Sequence, residues 1–359
     1  MTPADLSRTV LHAVRRAVDE DVLRSPVPAR VRVERTRPGG AGDYACAVAL
    51  QLAGPAALPA REVAEILRAA LTPEPGIGRV EITGPGFLNF TLDVSAGAAA
   101  RAGLVRDVRA RGLRFGWAED GSGQDRGFRH RREVRVAVLA HTVRRLVRAQ
   151  GGRAAVRCDG VADPDWGRLV VDMREGADMF RGEPGAGLDE VRAVPAGASA
   201  GELLGRLGRD ATLWGLLRTA AHDRPDFGDA LLVQRESNPL FLVRYAHARA
   251  RALSRGAALL GFDGAYEQDV EAPALHAVLA DYPRALAGAA RHRAPERLVR
   301  HLETIARAFF DFHDSRTPLP VGDEKPSAAH RSRLALAEAA GTVLAGGLSL
   351  LGISAPEHL

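Results

Sequence analysis

The chain has 359 residues, 46% of them hydrophobic and 26% charged, which is long enough for two or three domains with cores of their own. Its formal charge of +5 points toward an acidic partner, and that charge is almost all arginine: Lys325 is the one lysine, so a mechanism needing a catalytic lysine has a single candidate. Cys46 and Cys158 stand far apart without metal-ligand spacing, which argues against a disulfide scaffold or a zinc site and fits a reducing, cytoplasmic setting.

The opening "MTPADLSRTVLHAVRRAVDE" predicts an amphipathic helix and lacks the uninterrupted apolar core of a signal peptide. "ARVRVERT" (29–36) then predicts a strand, and "DYACAVALQLA" a strand running toward a helix. "PAREVAEILRAAL" predicts a helix with Pro59 near its start, where a missing N–H costs little. "IGRVEITGPGFLNFTLDV" reads as two strands joined at Gly84-Pro85-Gly86. These elements make a small α+β domain over 1–95.

A helix follows from about residue 96, then the Gly-rich "FGWAEDGSGQDRG", expected to be a linker or loop. "REVRVAVLAHTVRRLVRAQGG" predicts a basic amphipathic helix, and "RAAVRCDGV" a strand. The stretch 173–201 is rich in Gly, Pro and Ala and is expected to be irregular. Beyond residue 205 the pattern is helical almost to the end. Leu298, Leu302, Ile305, Phe309 and Phe312 mark one buried face, and a last helix is expected over about 327–351. Gly341, Gly346, Gly347 and Gly352 break its apolar run, so it reads as a buried helix and not a membrane span.

The helix predicted in "NPLFLVRYAHARARALSR" carries two stripes. Val243, Ala246, Ala250 and Leu253 face a core, while Arg244, His247, Arg251 and Arg255 form a basic edge. Tyr245 and Arg249 lie four apart and are neighbours on the helix surface. Such an edge is either a solvated face or a surface for a polyanion, with Tyr245 available to stack on a base.

Several stretches, in order, resemble arginyl-tRNA synthetases. "GDYACAVALQLA" and "VEITGPGFLNFTL" resemble that family's N-terminal additional domain. "DATLWGLLRTAAHDRPDFGDALLVQRESNPLFLVRYAHARARAL" resembles the entry to its DALR-type anticodon-binding domain, and the ending "LLGISAPEHL" its close. "DPDWG" at 163–167 resembles a stretch of its catalytic domain. The resemblance implies a multidomain α+β chain: the small N-terminal domain, a degenerate remnant of a class I (Rossmann-like) catalytic domain over 96–205, and an all-α helical bundle over 206–359.

The resemblance also implies which residues act. The HIGH-type sequence, whose glycine and histidines receive ATP, falls at His130, Arg131, Arg132 and Glu133, where Arg132 and Glu133 replace the glycine and the second histidine. Before "AGELLGRLG", where the family carries its KMSKS-type loop, stands "DEVRAVPAGASA", without lysine. Amino-acid activation is therefore expected to be lost, and the chain to use no cofactor and no metal. Asp163, Asp165 and Asp172 are read as solvated loop carboxylates.

What the resemblance leaves is tRNA binding, with arginine tRNA the expected partner. Phe87 and Asn89, with Tyr44 beside them, match the residues that meet the D-loop, and Asn89 is expected to be exposed. Tyr245, Arg249, Arg244 and the terminal Leu359 match those that meet the anticodon loop, while His247 is expected to pack or cap. Leu242 stands where the family has a further aromatic residue. The alternative is a protein-interaction or regulatory module that reuses this scaffold, for example as partner of a tRNA-dependent biosynthetic enzyme or of a full-length synthetase. No membrane partner is expected.

Overall fold

The computed structural model describes residues 3–36, 40–74, 76–118, 123–170 and 188–359. Most of the stretch read as irregular, together with Asp172 and part of the Gly-rich loop, lies outside them. The chain divides into two compact units, 1–103 and 104–359.

In the first unit, helix α1 (Pro3–Asp19) buries Leu6, Val10 and Val14, spaced one turn apart. Strands β1 (Val33–Arg35) and β2 (Tyr44–Cys46) lead to α2 (Val48–Ala56) and α3 (Ala60–Leu71), and β3 (Ile77–Thr83) and β4 (Phe87–Leu92) form a hairpin. The sheet is antiparallel, in the order β1-β2-β4-β3. Its inner face, with Leu88 and Phe90, packs with Val63, Leu67 and Leu71 of α3 and with α1. The hairpin closes at Gly84 and Gly86, both at positive φ (54° and 143°). A Cβ at Gly86 would come within 2.8 Å of the Ala60 carbonyl, so glycine lets the turn lie against the start of α3.

Helix α4 (Val94–Arg111) runs into the second unit. There β5 (Arg126–His130), α5 (Val134–Ala149) and β6 (Ala154–Cys158) make a βαβ unit, and β7 (Asp189–Glu190) joins the other edge of β5 in a parallel sheet. The short α6 (Trp166–Leu169) follows β6. Helix α5 departs from the basic amphipathic helix expected here: fourteen of its sixteen residues are buried, Arg135 and Arg144 among them. It is enclosed on every side because it lies between the sheet and the helices that follow.

Those helices are α7 (Ala200–Arg218), α8 (Pro239–Leu259), α9 (Pro273–His292), α10 (Pro295–Ser315) and α11 (Ala328–Leu351). Ser199 and Glu202 form a reciprocal capping box at the start of α7. Pro239, Pro273 and Pro295 open α8, α9 and α10 at a position that needs no N–H. Helix α11 is long and apolar enough to cross a membrane, but here it is mostly buried in the bundle. A Cβ at Gly341 would meet that of Ala250 at 2.7 Å, so this glycine allows α8 and α11 their close approach. One continuous apolar core runs from Phe115 and α5 through the helices to Ile353.

Candidate nucleic-acid interface

Helix α8 is fixed at its start by Asn238, whose side chain accepts a hydrogen bond from the Leu240 N–H (3.0 Å) and donates to the carbonyls of Leu231 and Val233 (2.9 Å each). From there Leu242, Val243, Ala246 and Ala250 point into the core. That leaves Phe241, Tyr245 and Arg249 along one edge, each four residues from the next.

The Tyr245 ring lies between two others. Its centroid is 5.3 Å from Phe241, at an interplanar angle of 14°, and 5.3 Å from Phe310 of α10, at 24°. All three rings are partly exposed, and they offer an unstacked base a ready-made aromatic platform. Arg249 is exposed beside them, its Nε donating to Nε2 of His313 (3.1 Å). The His313 ring then donates from Nδ1 to Asp314 (3.0 Å), so the network fixes the tautomer and leaves the rest of the guanidinium free to face an anion.

The other basic edge is committed within the chain. Arg244 donates to the Ser354 hydroxyl (3.2 Å) and pairs with Asp210 (3.6 Å). Arg251 pairs with Glu357 (3.0 Å), and Arg255 donates to the Glu357 carbonyl. His247 is buried, with Nδ1 3.0 Å from the Gly341 carbonyl, the packing role expected for it. Burial holds its imidazole below the ordinary histidine range. Arg244 and the exposed Leu359 line a cleft of about 310 Å³ together with Phe241 and Asn238. Three of the four residues predicted here, Tyr245, Arg244 and Leu359, thus meet at Phe241, which belongs both to the aromatic stack and to this cleft.

Sequence reasoning missed Phe241 and Phe310. It noted the absent aromatic at Leu242, which is in fact a buried core residue. The signal that could have found Phe241 is its i,i+4 spacing to Tyr245; Phe310 is brought in only by the packing of α10 on α8.

In the first unit, Phe87 is 39% exposed at the start of β4, but Asn89 is 5% exposed. This corrects the expectation of an accessible amide. Asn89 takes the face opposite Leu88 and Phe90, its Nδ2 donating to the Thr83 hydroxyl of the paired strand (2.7 Å), so it ties the two strands beside the Gly-Pro-Gly turn. Tyr44 is buried as well, opposite Phe90 in the β2–β4 register. Phe87 alone of the three presents a substantial face to solvent.

At the end of β5, His130 is buried against Trp166 and His141 (ring centroids 5.9 and 6.3 Å away), its Nδ1 donating to the Arg131 carbonyl (2.8 Å). Burial lowers the pKa of His130, and that of His141 falls to about 3, through burial first and then the adjacent Arg144 charge. Arg131 and Arg132 are exposed. Glu133 caps α5 by accepting from the Val136 N–H (2.9 Å), and its second carboxylate oxygen accepts from the Ala196 N–H (2.8 Å). Asp163 accepts from the Asp165 N–H (2.9 Å), and Asp165 pairs with Arg168 (3.4 Å).

Residues 243–359 match the DALR anticodon binding domain, and residues 5–92 match the arginyl tRNA synthetase N terminal domain. This chain carries the two outer domains of the arginyl-tRNA synthetase family. The arginine–tRNA ligase of Frankia alni is 28% identical over an alignment of 552 positions that covers all of both chains. That of Clavibacter sepedonicus is 38% identical over 164 residues, 44% of this chain and 30% of the relative. The fold is that of the arginyl-tRNA synthetase of Thermus thermophilus (TM-score 0.68, 15% identity, all of both chains) and of Plasmodium falciparum (TM-score 0.66, 10% identity, 99% of each).

The Frankia alignment spans many more positions than the 359 residues present here, so that relative has long stretches without a counterpart. Tyr245, Arg249, Arg244 and Leu359 fall within the anticodon-binding match, and Tyr44, Phe87 and Asn89 within the N-terminal one. His130–Glu133 lie in neither matched segment.

Proposed function

We propose that this chain is a non-catalytic relative of arginyl-tRNA synthetase that binds tRNA, specifically arginine tRNA, in the cytoplasm. The observation that carries the reading is the partly exposed Phe241–Tyr245–Phe310 stack with Arg249 beside it, of which Tyr245, Phe310 and Arg249 fall inside the anticodon-binding match. Aromatic faces take a base, and a guanidinium takes a phosphate or a base edge. Phe87 is the candidate contact to the D-loop from the first unit.

Two features support the absence of amino-acid activation. An acidic side chain and an arginine stand where the resemblance expects nucleotide-binding residues, and both oxygens of Glu133 already serve backbone N–H groups. The single lysine, Lys325, lies in the connection between α10 and α11, without a role in stabilising pyrophosphate.

The test is a gel shift with total tRNA at low and high salt, followed by sequencing of the bound fraction, beside an ATP–pyrophosphate exchange assay with arginine. Arginine tRNA is expected to be enriched, its binding to fall steeply as salt rises, and exchange to stay at the blank. Exchange above the blank would overturn the non-catalytic reading. No shift even at low salt would overturn tRNA binding and favour a protein-interaction module.

A further inference from the structure

Helix α10 carries one exposed stripe, with Arg297, Arg300, Thr304, Arg307 and Asp311 at spacings of three and four. Its N-terminal half forms one wall of an open groove whose other wall is α9. The groove has a volume of about 470 Å³ and is lined by Asp281, Arg284 and Gly288 of α9 and by Arg297, Arg300 and Thr304 of α10. A side chain at Gly288 would meet nothing within 4 Å, so its floor is open.

The charge in the groove is only partly answered. Arg284 pairs with Asp281 at 3.1 Å, and Arg300 reaches Glu296 only at 3.8 Å. Arg297 is exposed and has no carboxylate partner among the described residues. His301 adds little charge. Its Nε2 lies 2.9 Å from the Val278 carbonyl, and burial lowers its pKa. Three guanidiniums against two carboxylates, one of them distant, leave a cationic groove with the Thr304 hydroxyl as a further donor.

The groove also has a defined relation to the aromatic stack. Arg297 and Phe310 are thirteen residues apart on the same helix, which at 1.5 Å per residue is about 20 Å. A nucleic acid whose unstacked base rests on Tyr245 and Phe310 would have paired-stem phosphates at this order of distance. Arginine is the side chain suited to bind them, because its planar fork can grip two phosphate oxygens at once.

We propose that the α9–α10 groove is a second RNA contact, in which Arg297, Arg300 and Arg284 hold backbone phosphates of the stem that carries the loop bound at Tyr245. The proposal rests on the tRNA-binding reading and extends it: the stack takes a base, and the groove takes the backbone without regard to sequence.

The experiment compares the full chain with the double variant Arg297→Glu/Arg300→Glu, titrated with transcribed arginine tRNA over a range of salt. A second pair, Arg206→Glu/Arg224→Glu, reverses two exposed charges elsewhere in the same unit, and Tyr245→Ala reports on the stack. The groove variant is expected to lose about tenfold or more in affinity and to flatten the slope of log affinity against log salt by about one to two. The Arg206/Arg224 pair is expected to retain the wild-type slope. Arg297→Gln/Arg300→Gln, which removes charge without reversing it, should show a smaller loss in the same direction.

If wild type binds and Tyr245→Ala weakens it, but the groove variants keep the wild-type affinity and slope, the groove is not an RNA contact and the tRNA reading stands. Equal losses in both charge-reversal pairs mean only the overall charge matters, and that also overturns the groove. No binding by wild type removes the tRNA reading and the groove with it.

Discussion

Arg135 is fully buried and makes no ion pair in its hydrogen-bond set. Its guanidinium donates to the carbonyls of Leu216 (3.3 Å), Val194 (2.9 Å), Asp223 (2.6 Å), Thr219 (3.2 Å) and Ala220 (2.9 Å), and to the Thr219 hydroxyl (3.0 Å). These carbonyls belong to the last turn of α7, to the backbone just beyond it and to Val194 before it, and one rigid fork of donors serves them together. Lysine cannot replace it, having three donors on a single nitrogen. Arg135→Met is expected to destabilise the second unit by about 3 kcal/mol or more, since several buried carbonyls lose their donor; a urea midpoint within error of wild type would refute this. Nothing in "REVRVAVLAHTVRRLVR" distinguishes Arg135 from its neighbouring arginines, so the sequence predicts only a basic amphipathic helix there. Its role is set by the segments 194–223 folding back over α5, a tertiary fact that helical periodicity does not carry. Asn89 was misjudged for a similar reason: alternation along β4 predicts which face it takes but not that a hairpin hydroxyl waits there.

Among the elements, α8 was the most legible. Its start at Asn238-Pro239, its core stripe and the surface pairing of Tyr245 with Arg249 all follow from spacing and capping chemistry. What spacing could not supply was the neighbour: α10 places Phe310 and His313 against Tyr245 and Arg249. With that support, Tyr245→Ala together with Arg249→Ala should weaken binding of arginine tRNA by more than tenfold, as expected from about 1–3 kcal/mol per stacked base. A filter-binding titration on a variant with unaltered circular dichroism checks it, and an unchanged affinity would remove the stack from the interface. The opposite edge of α8 illustrates how a basic stripe can mislead. Arg251 and Arg255 are occupied by Glu357 and its carbonyl, so their charge is largely answered inside the chain.

Among the described residues, four buried or half-buried histidines share one direction of shift. His130, His141, His247 and His301 are all held below the ordinary imidazole range, with burial the leading cause in each. The unfolded chain protonates these groups near pH 6.5 while the folded chain resists. Below that value the unfolded state binds more protons, and stability falls as pH falls. For His141, with a folded value of about 3, the loss amounts to up to about 1.4 kcal/mol per pH unit between its two values. Urea midpoints should therefore drop between about pH 7.5 and about pH 5.5, and His141→Gln should flatten that dependence; equal slopes in the two proteins would refute the assignment to His141. The sequence indicated an α+β beginning and a helical end from the change in periodicity near residue 205. It could not show that α5 and the later helices share one core, because the aliphatic run of α5 reads alike whether it faces a sheet, a bundle or both.

Glu133 has a consequence for the history open to this protein. A carboxylate at that position closes the first turn of α5 and tethers Ala196. Exchanging it for histidine would leave two N–H groups without their acceptor, at about 1 kcal/mol for the cap alone. Selection acting one substitution at a time would meet that loss first. Substitution at this position therefore runs uphill in stability, and the present arrangement works as a ratchet.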